Sequence, residues 1–141
     1  MGGIGIKFKK IIKSRVREKR EEMDLTQQEL GDLVGVSRQT IYYIEKGDYN
    51  PSLILAFKIS DVLKTPVNSL FYREPIIKDK VESLSIKEMK EIAEDLKMNQ
   101  ERIVSLSEID EGELLKEFEK NELGNIAQKL GYSFDDLFQE D

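Results

Sequence analysis

VGVSRQTIYYIEKG, residues 34 to 47, holds a corner and the helix that leaves it. Gly35 offers the left-handed residue that ends a preceding helix, and Ser37, two positions on, offers a hydroxyl to cap the next. Only Gly35 and Val36 separate the two helices. So short a connection cannot lay them antiparallel along their length, and it predicts a sharply crossed helix-turn-helix. In the second helix Ile41 and Ile44, with Val36 at the corner, point inward. Arg38, Gln39, Tyr42 and Tyr43 share the opposite face, since positions three and four apart are neighbours. A typical surface helix mixes Glu with Lys, yet this stretch has no carboxylate before Glu45. Phosphate repels carboxylates, which would give their absence a cause.

Upstream, Thr26-Gln-Gln-Glu29 reads as a capping box that opens the first helix of the motif, with Leu30, Leu33 and Val34 as its apolar stripe. Before it, a helix is expected from about Lys9 to Met23, burying Ile12, Val16 and the stem of Lys19. Downstream, Asp48-Tyr-Asn-Pro51 is a loop and Ser52 caps a fourth helix with Leu55, Ile59, Val62 and Leu63 inward. Thr65-Pro66 is a cap followed by proline at the first helical position of a short fifth helix, with Val67, Leu70 and Phe71 inward. Five helices complete a small domain, assigned to residues 1–72 with a short basic extension at its start.

Residues 73–80 read as a linker and 81–141 as a second, acidic helical domain. Its grammar repeats the first. Ser85 and Glu88 form another capping box before Met89, Ile92, Ala93 and Leu96. Asn99 caps a helix holding Ile103 and Leu106, and Asp110-Glu-Gly-Glu113 opens one holding Leu114, Leu115 and Phe118. NIAQKLGYSFDDLF matches KISDVLKTPVNSLF at an offset of 67, setting Ile59 with Ile126, Leu63 with Leu130, Leu70 with Leu137 and Phe71 with Phe138. Either the first domain has been duplicated, or two amphipathic helix pairs share their spacing.

The chain has 141 residues, 39% of them hydrophobic, which is enough for a packed core. It has no cysteine and no histidine. Disulfides, thiolate chemistry and the usual zinc ligand sets are thereby excluded, oxygen-only metal sites are not, and no cofactor is expected. MGGIGIKFKKIIK lacks the apolar core of a signal peptide, Ile6 stands where a myristoylation signal has Ser or Thr, and no apolar run approaches a membrane span. A cytoplasmic protein is expected. The net charge of −6 averages two unlike halves: residues 1–75 hold 13 Lys/Arg against 10 Asp/Glu, residues 76–141 nine against 18. Eight of the basic residues fall between Lys7 and Arg20, a run whose ordinary reading is a solvated helix face.

SRVREKREEMDLTQQELGDLVGVSRQTIYYIEKGDYNPSL resembles the Cro/phage-repressor helix-turn-helix family, also called the XRE family, over about residues 13–72. The start Leu-Thr-Gln-x-Glu-Leu, the turn Gly-Val-Ser, the end Ile-Glu-x-Gly and the following Asn-Pro-Ser coincide in order and spacing. The resemblance implies an all-α fold, a five-helix lambda-repressor-like DNA-binding domain followed by a second small helical domain. It also implies that the helix over residues 37–46 enters the major groove of double-stranded DNA, with Arg38, Gln39 and Tyr43 at base-reading positions. Arg matches guanine N7 and O6, and Gln matches adenine N6 and N7. Tyr42 has no assigned role. Thr26 and Gln27 match phosphate-binding positions on the first turn of the preceding helix, and Ser37, Thr40 and Lys46 are further phosphate candidates. Arg20 matches an arginine that pairs with the Glu45 equivalent beneath the motif.

Two features depart from the smallest relatives. Lys7, Lys9 and Lys10 are either an arm for further phosphates, or Ile4, Ile6 and Phe8 beside them belong to a dimer contact. In the acidic half, Lys97 to Arg102 stand where Gly35 to Thr40 stand, and Glu101 replaces Gln39. So acidic a segment cannot hold DNA by the same electrostatics. It is assigned to oligomerisation, a protein partner or an effector, with self-association placed beyond Lys78. The function expected is a homodimeric transcriptional repressor reading a palindromic operator. The alternative is a protein-interaction module, an antitoxin or adaptor with autoregulatory DNA binding. No Gly-rich phosphate loop or nucleophile pair at recognisable spacing points to an enzyme.

Overall fold

The computed structural model describes residues 5–140. The chain divides into two units, one inserted in the sequence of the other: residues 12–73, and a split unit of residues 1–11 with 74–141. Helix dominates, as expected, but four short strands, Ile6–Phe8 (β1), Lys10–Ser14 (β2), Phe71–Pro75 (β3) and Phe138–Glu140 (β4), modify the all-α expectation. β1 pairs antiparallel with β4, Phe8 opposite Phe138, and β2 pairs with β3.

The inserted unit carries helices Val16–Glu22 (α1), Gln27–Val34 (α2), Arg38–Lys46 (α3), Leu53–Leu63 (α4) and Val67–Leu70 (α5). Its core is Val16, Leu30, Val34, Ile41, Ile44, Leu55, Ile59, Leu63 and Leu70. The helix expected from Lys9 begins only at Val16. In a helix Lys9, Lys10 and Lys13 would crowd one face as like charges at three- and four-residue spacing, whereas a strand separates them. Ile12 is accordingly exposed rather than core, and Leu33, expected inside, faces outward. Thr65 does not cap α5; its hydroxyl donates to the Leu63 carbonyl at 2.9 Å.

The split unit carries Ile76–Glu82 (α6), Ile86–Leu96 (α7), Gln100–Ser105 (α8), a short 3-10 turn at Glu111–Glu113, Leu114–Glu117 (α9), Lys120–Lys129 (α10) and Phe134–Leu137 (α11). Three expectations are corrected here. The proposed linker 73–80 runs through the end of β3 into α6, whose Ile77 is fully buried. The residues assigned to a basic arm or dimer contact belong instead to this unit: Ile6 and Phe8 lie in its core, the Lys9 ammonium donates to the Asp135 carbonyl, and Lys10 stands 3.7 Å from Glu111. Ile4 lies outside the described residues. Leu115 is exposed, and Asp110 makes no side-chain cap.

The two units repeat one plan. Each opens with a strand and closes with its pairing strand: β2, α1 to α5, β3 in one; β1, α6 to α11, β4 in the other. The offset of 67 holds for α4 and α10 at their first residues, for α5 and α11 throughout, and for β3 and β4 at theirs. Lys64, which caps the end of α4, and its counterpart Gly131, one residue past the cap of α10, both have positive φ. The Leu70 carbonyl accepts from the Arg15 amide at 2.8 Å, and its counterpart Leu137 from the Lys9 amide at 2.9 Å. Lys9 is thus the counterpart of Arg15. Arg15 runs straight on into α1, whereas the Lys9 carbonyl receives the amide of Ile76 at the start of α6, 2.9 Å away. In sequence, the inserted unit therefore interrupts the other between first strand and first helix.

Gly31 makes the tightest approach in the motif: a Cβ there would sit 2.6 Å from the Val36 carbonyl oxygen. Backbone cannot swing aside like a flexible side chain, so Gly31→Ala is expected to destabilise the inserted unit by about 1–3 kcal/mol, read by denaturant unfolding of the full chain. A variant as stable as the parent would mean that the corner relaxes freely.

Candidate nucleic-acid interface

The corner between α2 and α3 is built by the backbone. Gly35, at φ 81°, and Val36 both donate to the Gly31 carbonyl, at 2.8 and 2.9 Å. At the start of α2, the Thr26 hydroxyl accepts from the Glu29 amide and the Glu29 carboxylate accepts from the Thr26 amide, each at 3.0 Å. Those bonds hold the Glu29 carboxyl below its usual range. Ser37 Oγ accepts from the Thr40 amide at 3.1 Å and lies 3.0 Å from Thr40 Oγ1. Both helix starts are therefore fixed before any ligand arrives.

From that frame α3 exposes one face carrying Arg38, Gln39, Tyr42, Tyr43 and Lys46, while Ile41 and Ile44 are buried behind it. The Arg38 and Gln39 side chains make no hydrogen bond or ion pair among the described residues, so their donors stay available. The Tyr42 and Tyr43 rings meet edge to face with centroids 5.3 Å apart. Lys46 Nζ lies 5.8 Å over the Tyr42 ring and 3.4 Å from Asp48.

Beneath α3, the Arg20 guanidinium grips Glu45 with both arms, Nε to Oε2 at 2.7 Å and Nη2 to Oε1 at 3.1 Å. Its Nη1 donates to the Leu25 carbonyl at 2.8 Å. The Glu45 side chain is 5% exposed and that of Arg20 11%. The bond to Glu45 raises the Arg20 pKa against the opposing effect of burial. The single acid of α3 is thus withdrawn from the exposed face, and the pair that the family resemblance implies is formed.

Sequence reasoning missed a third member: Gln27 Nε2 donates to Glu45 Oε1 at 3.1 Å. Gln27 therefore ties α2 to α3 whatever else its amide touches. It also missed Arg15, whose guanidinium lies 4.2 Å over the Tyr72 ring and donates to the Ser69 carbonyl at 3.1 Å. Neither partner is close in sequence, so spacing carried no signal for either.

The split unit holds the same corner. Lys97 has positive φ, Met98 donates to the Ala93 carbonyl at 2.9 Å, and Asn99 caps α8. The presented chemistry differs. Gln100, Glu101 and Val104 are exposed, and the one guanidinium on the helix, Arg102, is bound to Glu122 at 3.0 and 3.3 Å and to the Glu117 carbonyl at 2.6 Å. That bond, with the Glu119 amide, depresses the Glu122 carboxyl. The split unit holds 12 Lys/Arg against 19 Asp/Glu, the inserted unit 10 against nine.

Among the described residues, no helix is long and apolar enough to cross a membrane.

A helix-turn-helix family model matches residues 16–70, which spans the corner and the helices around it. A protein of Archaeoglobus fulgidus, described as an HTH-type transcriptional regulator, is 48% identical over 60 residues, 43% of this chain and 86% of that protein. Proteins with the same description from Methanothermobacter thermautotrophicus and Bacillus subtilis are 54% identical over 52 residues and 44% over 63. These cover 37% and 45% of this chain, and 75% and 96% of the relatives.

Proposed function

Because the chain belongs to the XRE-type helix-turn-helix family of transcriptional regulators, we propose that it is a homodimeric, sequence-specific repressor that reads a palindromic operator through α3. The observation that carries this reading is an exposed helix face with a guanidinium and an amide that have no partner among the described residues, above a carboxylate locked away by Arg20 and Gln27. In this reading Arg38 and Gln39 donate to base edges, Tyr43 touches a thymine methyl or a phosphate, and Thr26, Gln27, Ser37, Thr40 and Lys46 line the backbone. Repression follows from occupancy of a promoter and requires no chemical step.

The split unit takes the second role. It offers a protein partner or an effector a fold of the same plan, with Glu101 in place of Gln39 and an acidic surface that phosphate would repel.

Selection of bound sites from random duplexes, using the full chain, tests the first reading. The expected product is a palindrome whose half-sites are centred about 10 base pairs apart, with affinity falling linearly in log–log against salt. Recovery of unenriched input at every salt concentration would overturn it.

A further inference from the structure

α4 buries Leu55, Ala56, Ile59 and Leu63, yet its other side presents Leu53, Ile54 and Phe57 at 69%, 70% and 54% exposure. The repeated plan supplies an internal control for this stripe. At the offset of 67, α10 carries Lys120, Asn121 and Gly124 at the same three positions, while Leu123 and Ile126, the counterparts of Ala56 and Ile59, stay buried. Lys120 there reaches Glu140 at 2.7 Å. The fold thus has no need of apolar side chains at those positions, and their presence on α4 calls for something to cover them.

We propose that this stripe is the self-association surface of the protein and that its occupant is α4 of a second copy. The stripe is self-complementary. Antiparallel pairing about a two-fold axis between Ile54 and Phe57 sets Ile54 against Phe57 of the second copy and Leu53 against the stem of its Lys58. The same register brings Asp61 to Asn50 and the N-terminal end of the second α4, where the helix dipole favours a carboxylate, and no like charges are opposed. Covering the three side chains on both copies removes on the order of 700 Å² of surface, about half of a standard interface. Tyr49, exposed just ahead of α4, extends the patch. The inference rests on the dimeric reading above and relocates self-association, expected beyond Lys78, to the inserted unit.

The test uses the full chain and its lack of cysteine. In light scattering at micromolar concentration, the parent is expected to have twice the chain mass, Phe57→Glu and Leu53→Lys the single mass, and Ile86→Glu, which alters an exposed isoleucine of the split unit, the parent mass. Circular dichroism checks that each remains folded. Under mild oxidation, an equimolar mixture of Ile54→Cys and Phe57→Cys is expected to give several-fold more covalent dimer than either alone. A monomeric parent, or a Phe57→Glu chain that remains dimeric, would overturn the proposal. Duplex selection with monomeric Phe57→Glu keeps the two readings apart: enrichment of a single half-site leaves the DNA-reading role of α3 standing, and loss of all enrichment counts against that role rather than against the interface.

Discussion

Glu45→Ala is expected to lower the stability of the inserted unit by about 3 kcal/mol, because it strands the Arg20 guanidinium in a site with almost no access to water. The loss has two parts. The cation keeps its bond to the Leu25 carbonyl and a 3.9 Å approach to the exposed Glu21 but loses both bonds to the Glu45 carboxylate, and the Gln27 amide loses its acceptor as well. Arg20→Ala should cost a similar amount by leaving the buried carboxylate with the Gln27 amide and no cation. For a domain of this size such a loss shifts the unfolding midpoint by about 12–24 °C. Replacing both partners with apolar residues, Arg20→Met with Glu45→Leu, should recover most of the stability, since neither charge then remains to be desolvated. Denaturant titration of the three variants and the parent decides the matter. Single variants within about 0.5 kcal/mol of the parent would show that the pair contributes no more than an exposed one.

The corner was legible because its signals are local. Thr26, Gly35, Ser37, Gly47 and Ser52 act within four residues of themselves, and each caps or ends the helix expected of it. Asn99 and Ser85 do the same in the split unit. The N-terminal segment was not legible in this way. Ile6 and Phe8 find their core against Phe138, at the far end of the chain, and strand pairing over that separation leaves no periodic trace beyond the alternation of three residues. REPIIKDK read as a linker because its Pro and charges suit one, while Ile77 is buried in a core assembled from Ile6, Phe8 and residues as far on as Phe138. At the site, the Arg20–Glu45 pair was reached through the family resemblance, whereas the Gln27 link to the same carboxylate depends on how closely two crossed helices approach. The internal repeat was visible as an offset in fourteen residues. Its nested arrangement rests on the Lys9 and Arg15 amides donating to equivalent carbonyls, contacts across 128 and 55 residues that leave no mark in the spacing.

Arg38→Ala should produce the largest effect on DNA. A guanidinium fork on guanine is worth about 1–3 kcal/mol, and a two-fold symmetric complex contains the contact twice, so affinity for the selected palindrome should fall by about 2–6 kcal/mol. The loss should be confined to sequence: selection with the variant should relax one position in each half-site and leave the others unchanged, because Gln39 sits on the same rigid turn and keeps its own base. Lys46→Ala provides the contrast. Its ammonium is exposed and held by Asp48 across 3.4 Å, an interaction of little weight at the surface, so removing it should weaken all duplexes alike and reduce the salt dependence without altering the preferred sequence. Gln27→Ala is the poorer probe of a phosphate contact, since its amide also braces Glu45 and its loss would disturb α3 itself. Identical site preferences for Arg38→Ala and the parent would remove Arg38 from the reading face, and a changed preference for Lys46→Ala would show that the C-terminal end of α3 touches bases rather than backbone.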